Sequence, residues 1–160
     1  TEEFCRRYPN YRKVFFFEPS MFNMEAGKKR LEKFKNIQYF KKGLSDEIGL
    51  VSYDSELGPA SSISETGSET LEVSTLDFEV NEKVSFIKMD IEGWELKALK
   101  GCRKHIISNK PKLAIAVYHN YKDFYEIPNY ILTLNPDYDI YIRHYTEGWS
   151  ETVMYFVPKK

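Results

Sequence analysis

The chain has 160 residues, 42% of them hydrophobic and 29% charged, which is the composition of one globular domain and excludes a disordered segment. Its formal net charge of −1 gives no electrostatic basis for binding nucleic acid or an anionic membrane surface. No apolar run reaches the length of a membrane span, and Cys5 and Cys102 match no metal or disulfide spacing. We therefore predict a globular protein of a reducing compartment, the cytoplasm.

The first half of the chain shows short apolar runs separated by turn residues, which is typical of strands. A helix is predicted after the first run, because Pro19 stops the strand and Ser20 can cap the helix. The predicted elements are a strand at 13–17, a helix at about 21–35, a strand at 36–40 and a small pair of strands at 48–53 and 70–74. The segment at 54–69, rich in Ser, Gly and Glu, is interpreted as a mobile loop, either a lid or a plain surface loop.

The second half begins with a strand, a turn at Gly93 and an amphipathic helix, followed by a second buried strand. Apolar residues recur every three or four positions from Leu96 to Ile106, and the run at 113–118 is apolar throughout. This order predicts two parallel strands joined by a right-handed helical crossover. The remaining predicted elements are a helix at about 122–134, interrupted near Pro128, and two antiparallel strands at 139–145 and 152–157. The sequence thus predicts an α/β sandwich that ends in an antiparallel hairpin.

Three predicted strands end in an ionisable residue, namely Glu18, Asp90 and His119. In open α/β sheets the carboxyl ends of the strands border the ligand crevice, so these residues are predicted to mark a site. Glu18 fits a carboxylate that binds ribose hydroxyls, and a carboxylate favoured by a helix N-terminus explains it equally well. By strand alternation Asp90 shares a face with Lys88 and Glu92, which predicts either a Lys88–Asp90 ion pair or the lining of a wet crevice.

Several stretches resemble the FkbM family of S-adenosylmethionine-dependent methyltransferases. The matching stretches are FIKMDIEGWELKALKG at 86–101, which is the most specific, FFFEPS at 15–20, LSD at 44–46, STLD at 74–77, PKLAIAVYH at 111–119, EIPNYILTLNPDY at 126–138 and RHY at 143–145. The resemblance implies a class I methyltransferase fold, a Rossmann-like three-layer sandwich whose mostly parallel sheet ends in an antiparallel hairpin. It also implies that a first strand and a glycine-rich loop lie upstream of Thr1, so that residues 1–160 form a single, N-terminally incomplete domain.

The same resemblance implies a cofactor, a partner and a set of binding residues. The cofactor would be S-adenosylmethionine, and the partner would be a small-molecule acceptor, a sugar or another natural product that is methylated on a hydroxyl. Glu18, followed by Pro19, would bind the ribose, Ser45 and Asp46 would approach the adenine, and Asp90 would face the methionine end.

Methyl transfer to a hydroxyl requires a group that accepts its proton, and His119 and Asp90 are the predicted catalytic residues. An ordinary histidine pKa of about 6.5 suits proton transfer near neutrality, although a histidine at a strand end can also be purely structural. Glu92 and His144 are predicted to contact the acceptor, with a hydrogen-bonded core histidine as the alternative for His144. Asp90 and Glu92 are separated by one residue, which is a weak metal signal, so no metal site is predicted.

Two other classes of protein are compatible with these residues. A dinucleotide-dependent oxidoreductase would use Glu18 in the same way, but it gives the stretch DIEGWE at 90–95 no role. A non-catalytic binding or scaffold domain derived from the same fold would not need the glycine-rich loop. The upstream sequence distinguishes the three classes. A GxGxxG turn there would favour the oxidoreductase, an acidic glycine-rich loop would favour the methyltransferase, and the absence of both would favour the scaffold domain.

Overall fold

The computed structural model describes residues 1–53 and 69–159, which contain both helices and strands. The elements are α1 (Glu2–Arg7), β1 (Val14–Phe17), α2 (Met21–Leu31), β2 (Ile37–Phe40), β3 (Gly43–Leu44), β4 (Gly49–Tyr53), β5 (Glu69–Ser74), α3 (Leu76–Glu79), β6 (Phe86–Met89), α4 (Glu95–Lys100), α5 (Arg103–Asn109), β7 (Lys112–Ala116), α6 (Asp123–Leu134), β8 (Tyr138–His144) and β9 (Thr152–Pro158). The predicted loop at 54–69 lies outside the described residues, apart from Glu69 at the start of β5.

The strands form three sheets, whereas the sequence predicts one mostly parallel sheet. In the described residues β1 pairs with β2, the second sheet has the order β3-β5-β4 and the third has the order β6-β7-β9-β8. The parallel pair β6–β7 and the antiparallel hairpin β8–β9 confirm two of the predictions. Among the described residues β1 and β6 each pair with a single strand. Because no backbone hydrogen bonds in this part of the chain connect β1 with β6, their sheets remain separate.

Helix α2 follows β1 as predicted, although it ends at Leu31 rather than near residue 35. Its first turn is capped by Ser20, whose hydroxyl accepts the Asn23 N–H at 3.4 Å. A Cβ added at Gly27 would lie 3.1 Å from the ring of Phe16, so the helix lies closely against β1. This packing holds the turn at Glu18 in place at the carboxyl end of the strand.

The main core lies between the sheet of β6, β7 and β9 and the helices α4, α5 and α6. Strand β7 is buried along Leu113–Ala116, as its apolar sequence predicts. Strand β6 alternates instead, with Ile87 and Met89 buried and Phe86 and Lys88 exposed. Lys88 forms the predicted ion pair with Asp90, at 3.1 Å between Nζ and Oδ2.

The predicted single amphipathic helix after Gly93 is wrong, because the segment forms two helices, α4 and α5, that meet at Gly101 and Cys102. A Cβ on Gly101 would lie 1.9 Å from the backbone oxygen of Ser45, so the chain passes very close to the end of β3 here. The Asp77 carboxylate accepts the N–H groups of Lys104 at 2.7 Å and His105 at 3.1 Å. The Asp77 carboxylate thereby caps the start of α5 and stabilises the break.

The predicted interruption near Pro128 is also wrong, because α6 runs through it from Asp123 to Leu134. Proline removes one backbone donor from a helix interior, but Ile127 and Ile131 on the same helix are fully buried in the core. We infer that the burial of these side chains outweighs the lost hydrogen bond. None of the helices within the described ranges is both long and apolar enough to cross a membrane.

Candidate active site

A tight turn directly after β6 places acidic side chains beside the end of β7. Glu92 and Gly93 both adopt left-handed backbone conformations, with φ of 57° and 89°, so the chain reverses within a few residues. A Cβ on Gly93 would lie 3.6 Å from Cβ of His119, which shows how closely the turn approaches the residue that follows β7. Asp90, Glu92 and His119, predicted separately from the sequence, are thereby brought together.

His119 lies at the centre of this group, with a side chain only 9% exposed. Its Nε2 atom is 3.3 Å from Oε2 of Glu92 and 3.8 Å from Oδ1 of Asp90. Its Nδ1 atom is 3.0 Å from Oε1 of Glu95, yet within residues 1–53 and 69–159 neither ring nitrogen has a partner with hydrogen-bond geometry. Burial lowers the pKa of His119, but the three carboxylates outweigh this effect and raise the pKa overall.

Glu95 is the most deeply buried of the site residues that the sequence analysis did not single out. It is fully buried, and its Oε1 accepts the Ile91 N–H at 2.8 Å, which closes the turn after β6. Its second oxygen, Oε2, has no hydrogen-bond partner among the residues that the structure describes. The signal was present in the sequence, because helical spacing places Glu95 on the same buried face as Ala98 and Leu99, where a charged residue needs a partner.

Two further side chains from the segment after β7 border the group. The hydroxyl of Tyr118 donates to Oδ1 of Asp90 at 3.1 Å, and burial together with the charge of Asp90 raises the pKa of Tyr118. Asp123, 5% exposed, accepts the Asn120 N–H at 3.2 Å. Burial, with a contribution from Glu95, raises the pKa of Asp123 to about 6. The site therefore contains four carboxylates around one imidazole.

The remaining predicted cofactor residues lie at the ends of β1 and β3. Glu18 is half-buried, its Oε1 accepts the Ser20 N–H at 2.9 Å, and burial raises the pKa of Glu18. Ser45 is fully buried and donates its hydroxyl to Oδ1 of the exposed Asp46 at 3.1 Å, while Pro19 is partly exposed. Among the described residues, no hydrogen bond or ion pair joins these side chains to the group around His119.

His144 lies on β8, the outer strand of the third sheet, and belongs to neither group. Its Nδ1 atom is 2.8 Å from the hydroxyl of Thr152 on the neighbouring strand. The residue is exposed, so the alternative of a core histidine is wrong although the hydrogen bond is present. Trp149, 79% exposed, places its ring edge-on to Tyr118 at 6.2 Å between centroids, which makes it an aromatic neighbour of the site.

Comparison with known proteins identifies a family. The family model described as the Methyltransferase FkbM domain matches residues 2–140. The chain is similar to the crystal structure of Methyltransferase FkbM from Methylobacillus flagellatus KT, with 31% sequence identity and a TM-score of 0.80. The match covers 97% of this chain and 39% of that one, so this chain spans well under half of the relative's length. None of the curated proteins matches the chain.

Proposed function

Because the chain belongs to the family of FkbM methyltransferase domains, we propose that it acts in a methyltransferase that uses S-adenosylmethionine to methylate a hydroxyl of a sugar or another small natural product. The observation that carries the proposal is the group of Asp90 and His119, which follow the adjacent parallel strands β6 and β7. Ligands of α/β proteins bind at these carboxyl ends.

The residues suit this cofactor in position and in charge. Glu18, half-buried after β1, is proposed to bind the ribose next to Pro19, with Ser45 and Asp46 near the adenine and Asp90 near the methionine end. A sulfonium and an ammonium group carry positive charge, and the carboxylates around His119 would offset it. In the class I fold a further strand would pair between β1 and β6. In the described part of the chain β1 and β6 each pair with one strand only, which is compatible with such a strand.

The proposed chemistry is an in-line displacement at carbon. When bound, the cofactor supplies a methyl group on a sulfonium, and transfer forms a carbon–oxygen bond while the carbon–sulfur bond breaks. The protein must hold the acceptor oxygen in line with the methyl group and take up the hydroxyl proton. Asp90 and His119 are proposed to contact that hydroxyl, with Glu92 at the exposed side of the same turn and His144 as a more distant acceptor contact.

Calorimetric titration of S-adenosylhomocysteine into the chain tests the cofactor assignment. We expect saturable binding that is lost in Glu18→Ala and kept in the matched control Glu32→Ala, which changes an exposed carboxylate after α2. Binding that survives Glu18→Ala would contradict the ribose assignment. Binding of NAD in place of S-adenosylhomocysteine would favour the oxidoreductase, and binding of neither, by this chain and by a longer form of the protein that contains it, would favour the scaffold domain.

A transfer assay tests the acceptor class. The chain, or a longer form of the protein that contains it, is incubated with radiolabelled S-adenosylmethionine and a panel of sugars, phenols and amines. We expect label in hydroxyl-bearing acceptors and a strong decrease in Asp90→Asn. Label transferred to amines alone would contradict the proposed O-methylation.

A further inference from the structure

Asp90, Glu95 and His119 offer a set of atoms that metal ions prefer. One ligand atom from each residue lies within 4.8 Å of the other two. Imidazole nitrogen and carboxylate oxygen together bind divalent ions such as Zn²⁺, Mn²⁺ and Fe²⁺. We propose that Asp90, Glu95 and His119 form a binding site for a divalent metal ion. The sequence shows only the weak pair Asp90 and Glu92, whereas folding adds a buried carboxylate and a buried imidazole to it.

Unpartnered polar atoms inside the group are the second observation. Glu95 is fully buried, and in the described part of the chain its Oε2 has no hydrogen-bond partner. The same holds for both ring nitrogens of His119, whose side chain is 9% exposed. Buried polar atoms are nearly always paired, and leaving a carboxylate oxygen unpaired is costly. A cation among these atoms would satisfy the Glu95 oxygen and one of the two ring nitrogens.

The charge balance of the group also calls for a cation. Asp90, Glu92, Glu95 and Asp123 surround a single imidazole. Lys88 pairs with Asp90 at 3.1 Å, but its side chain is 53% exposed, so solvent screens its charge. Carboxylates this close to each other are stabilised in proteins by protonation or by a bound cation. A divalent ion offsets two negative charges at the point where they converge.

The ligand atoms lie near one another but farther apart than in a formed coordination sphere. Ligand atoms bound at about 2.0–2.2 Å to one ion lie roughly 3–3.6 Å apart, whereas one atom from each of the three residues lies within 4.8 Å of the other two. An imidazole binds an ion through one nitrogen only; Nδ1 of His119 is 3.0 Å from Glu95 Oε1, and Nε2 is 3.8 Å from Asp90 Oδ1, so side-chain rotation is needed to bring all three residues onto one ion. Glu92, with a side chain 42% exposed and 3.3 Å from Nε2, can turn to become a further ligand. Water would fill the open positions.

The role of the ion, unlike its binding, rests on the proposed methyl transfer. An ion held next to the acceptor would bind the hydroxyl oxygen and lower the pKa of that hydroxyl. His119 and Asp90 would then act on the acceptor through the ion rather than by direct contact, and the hydroxyl proton would pass to water. Metal binding in the absence of cofactor can be measured by itself, so failure of this inference and failure of the proposed function give different results.

The test is a titration of Mn²⁺ alone into the chain, followed by electron paramagnetic resonance of the free ion. We expect one saturable site, with affinity at least about ten-fold lower in Asp90→Asn and in His119→Gln. The matched control is Asp139→Asn, an exposed carboxylate on β8, which should bind as the unaltered chain does. A rise in unfolding temperature with Mn²⁺, absent in Asp90→Asn, is expected as a second readout.

Circular dichroism of each variant shows whether it is folded, and Glu95→Gln is compared only if it is. Absence of saturable Mn²⁺ binding to the unaltered chain would overturn the inference. Binding that Asp90→Asn and His119→Gln leave unchanged would overturn it as well, because the ion would then lie elsewhere. If the chain binds S-adenosylhomocysteine but not Mn²⁺, the carboxylates would be inferred to contact the positively charged groups of the cofactor. That result would refute the metal site and leave the proposed function in place.

Discussion

Replacement of Gly101 by alanine should destabilise the protein, although local backbone preference predicts the opposite. Gly101 has φ of −73° and ψ of −3°, which alanine adopts readily, and Gly→Ala at such a position usually stabilises by about 0.4–1 kcal/mol. The added Cβ, however, would lie 1.9 Å from the oxygen of Ser45 and 3.2 Å from Cβ of Thr75. The first of these contacts is with backbone, which cannot rotate away.

The magnitude follows from how firmly both sides are held. The Ser45 N–H donates to the Ser74 oxygen at 2.9 Å, and the Gly101 oxygen accepts the Asp77 N–H at 3.0 Å. Overpacking in a well-packed region costs about 1–3 kcal/mol, and we expect the upper end because two hydrogen-bonded backbones must separate. Net of the propensity gain, Gly101→Ala should lower the free energy of unfolding by about 2 kcal/mol or more.

Urea denaturation followed by circular dichroism measures this change. The control is Gly49→Ala on β4, where no atom of the described residues lies within 4 Å of the added Cβ, and it should be neutral or stabilise by up to about 1 kcal/mol. Equal stability of Gly101→Ala and the unaltered chain would refute the reasoning, because the close approach to Ser45 would then be dispensable. A loss of similar size in both variants would refute it too, since the effect would not depend on the contact.

Three further predictions concern other parts of the molecule. Asp77→Ala should lower the free energy of unfolding by about 1–2 kcal/mol in urea denaturation, because α5 loses the acceptor of two N–H groups at its start; no change would show that water replaces the cap. Burial raises the pKa of Glu18. The ionised carboxylate, which predominates above that pKa, therefore destabilises the folded state. Glu18→Gln should therefore unfold at a higher temperature than the unaltered chain at neutral pH, and the gain should vanish below the ordinary carboxyl value of 4.5; a gain that persists at low pH would contradict it. Cys5 and Cys102 are buried, and burial raises the pKa of the Cys102 thiol, so both should react with a thiol reagent only as the protein unfolds; rapid labelling of the native protein, followed by mass spectrometry, would disprove this.

Much of the fold could be predicted because it depends on local periodicity. The apolar run of β7 and the two strands of the C-terminal hairpin lie where their sequences indicate. The break between α4 and α5 could not be predicted, because the apolar spacing continues across it from Leu99 to Ile106 and the groups that border it, Ser45 and Asp77, are distant in the sequence. The interruption predicted at Pro128 was wrong because proline's local tendency to break a helix is outweighed by the burial of Ile127 and Ile131 on the same helix.

The candidate site, like the fold, could be predicted from the sequence only in part. Asp90, Glu92 and His119 could be found from the sequence, because each follows directly after an apolar strand. Glu95 could be placed on a buried helix face by spacing, yet its 3.0 Å approach to His119 depends on the parallel pairing of β6 with β7. Sequence patterns describe one element at a time, and the meeting of two strand ends is a property of the sheet.

The sequence by itself determined the family of this protein, the order of its elements and the residue types at its strand ends, because these follow from motifs and from the alternation of apolar and polar side chains. Only the tertiary structure decided which charged groups face one another and which are buried. Burial and distance set the free energy of a charge, and both arise only when segments far apart in the chain pack together. The four carboxylates around His119 come from the turn after β6, from α4 and from α6, and packing alone makes them one site.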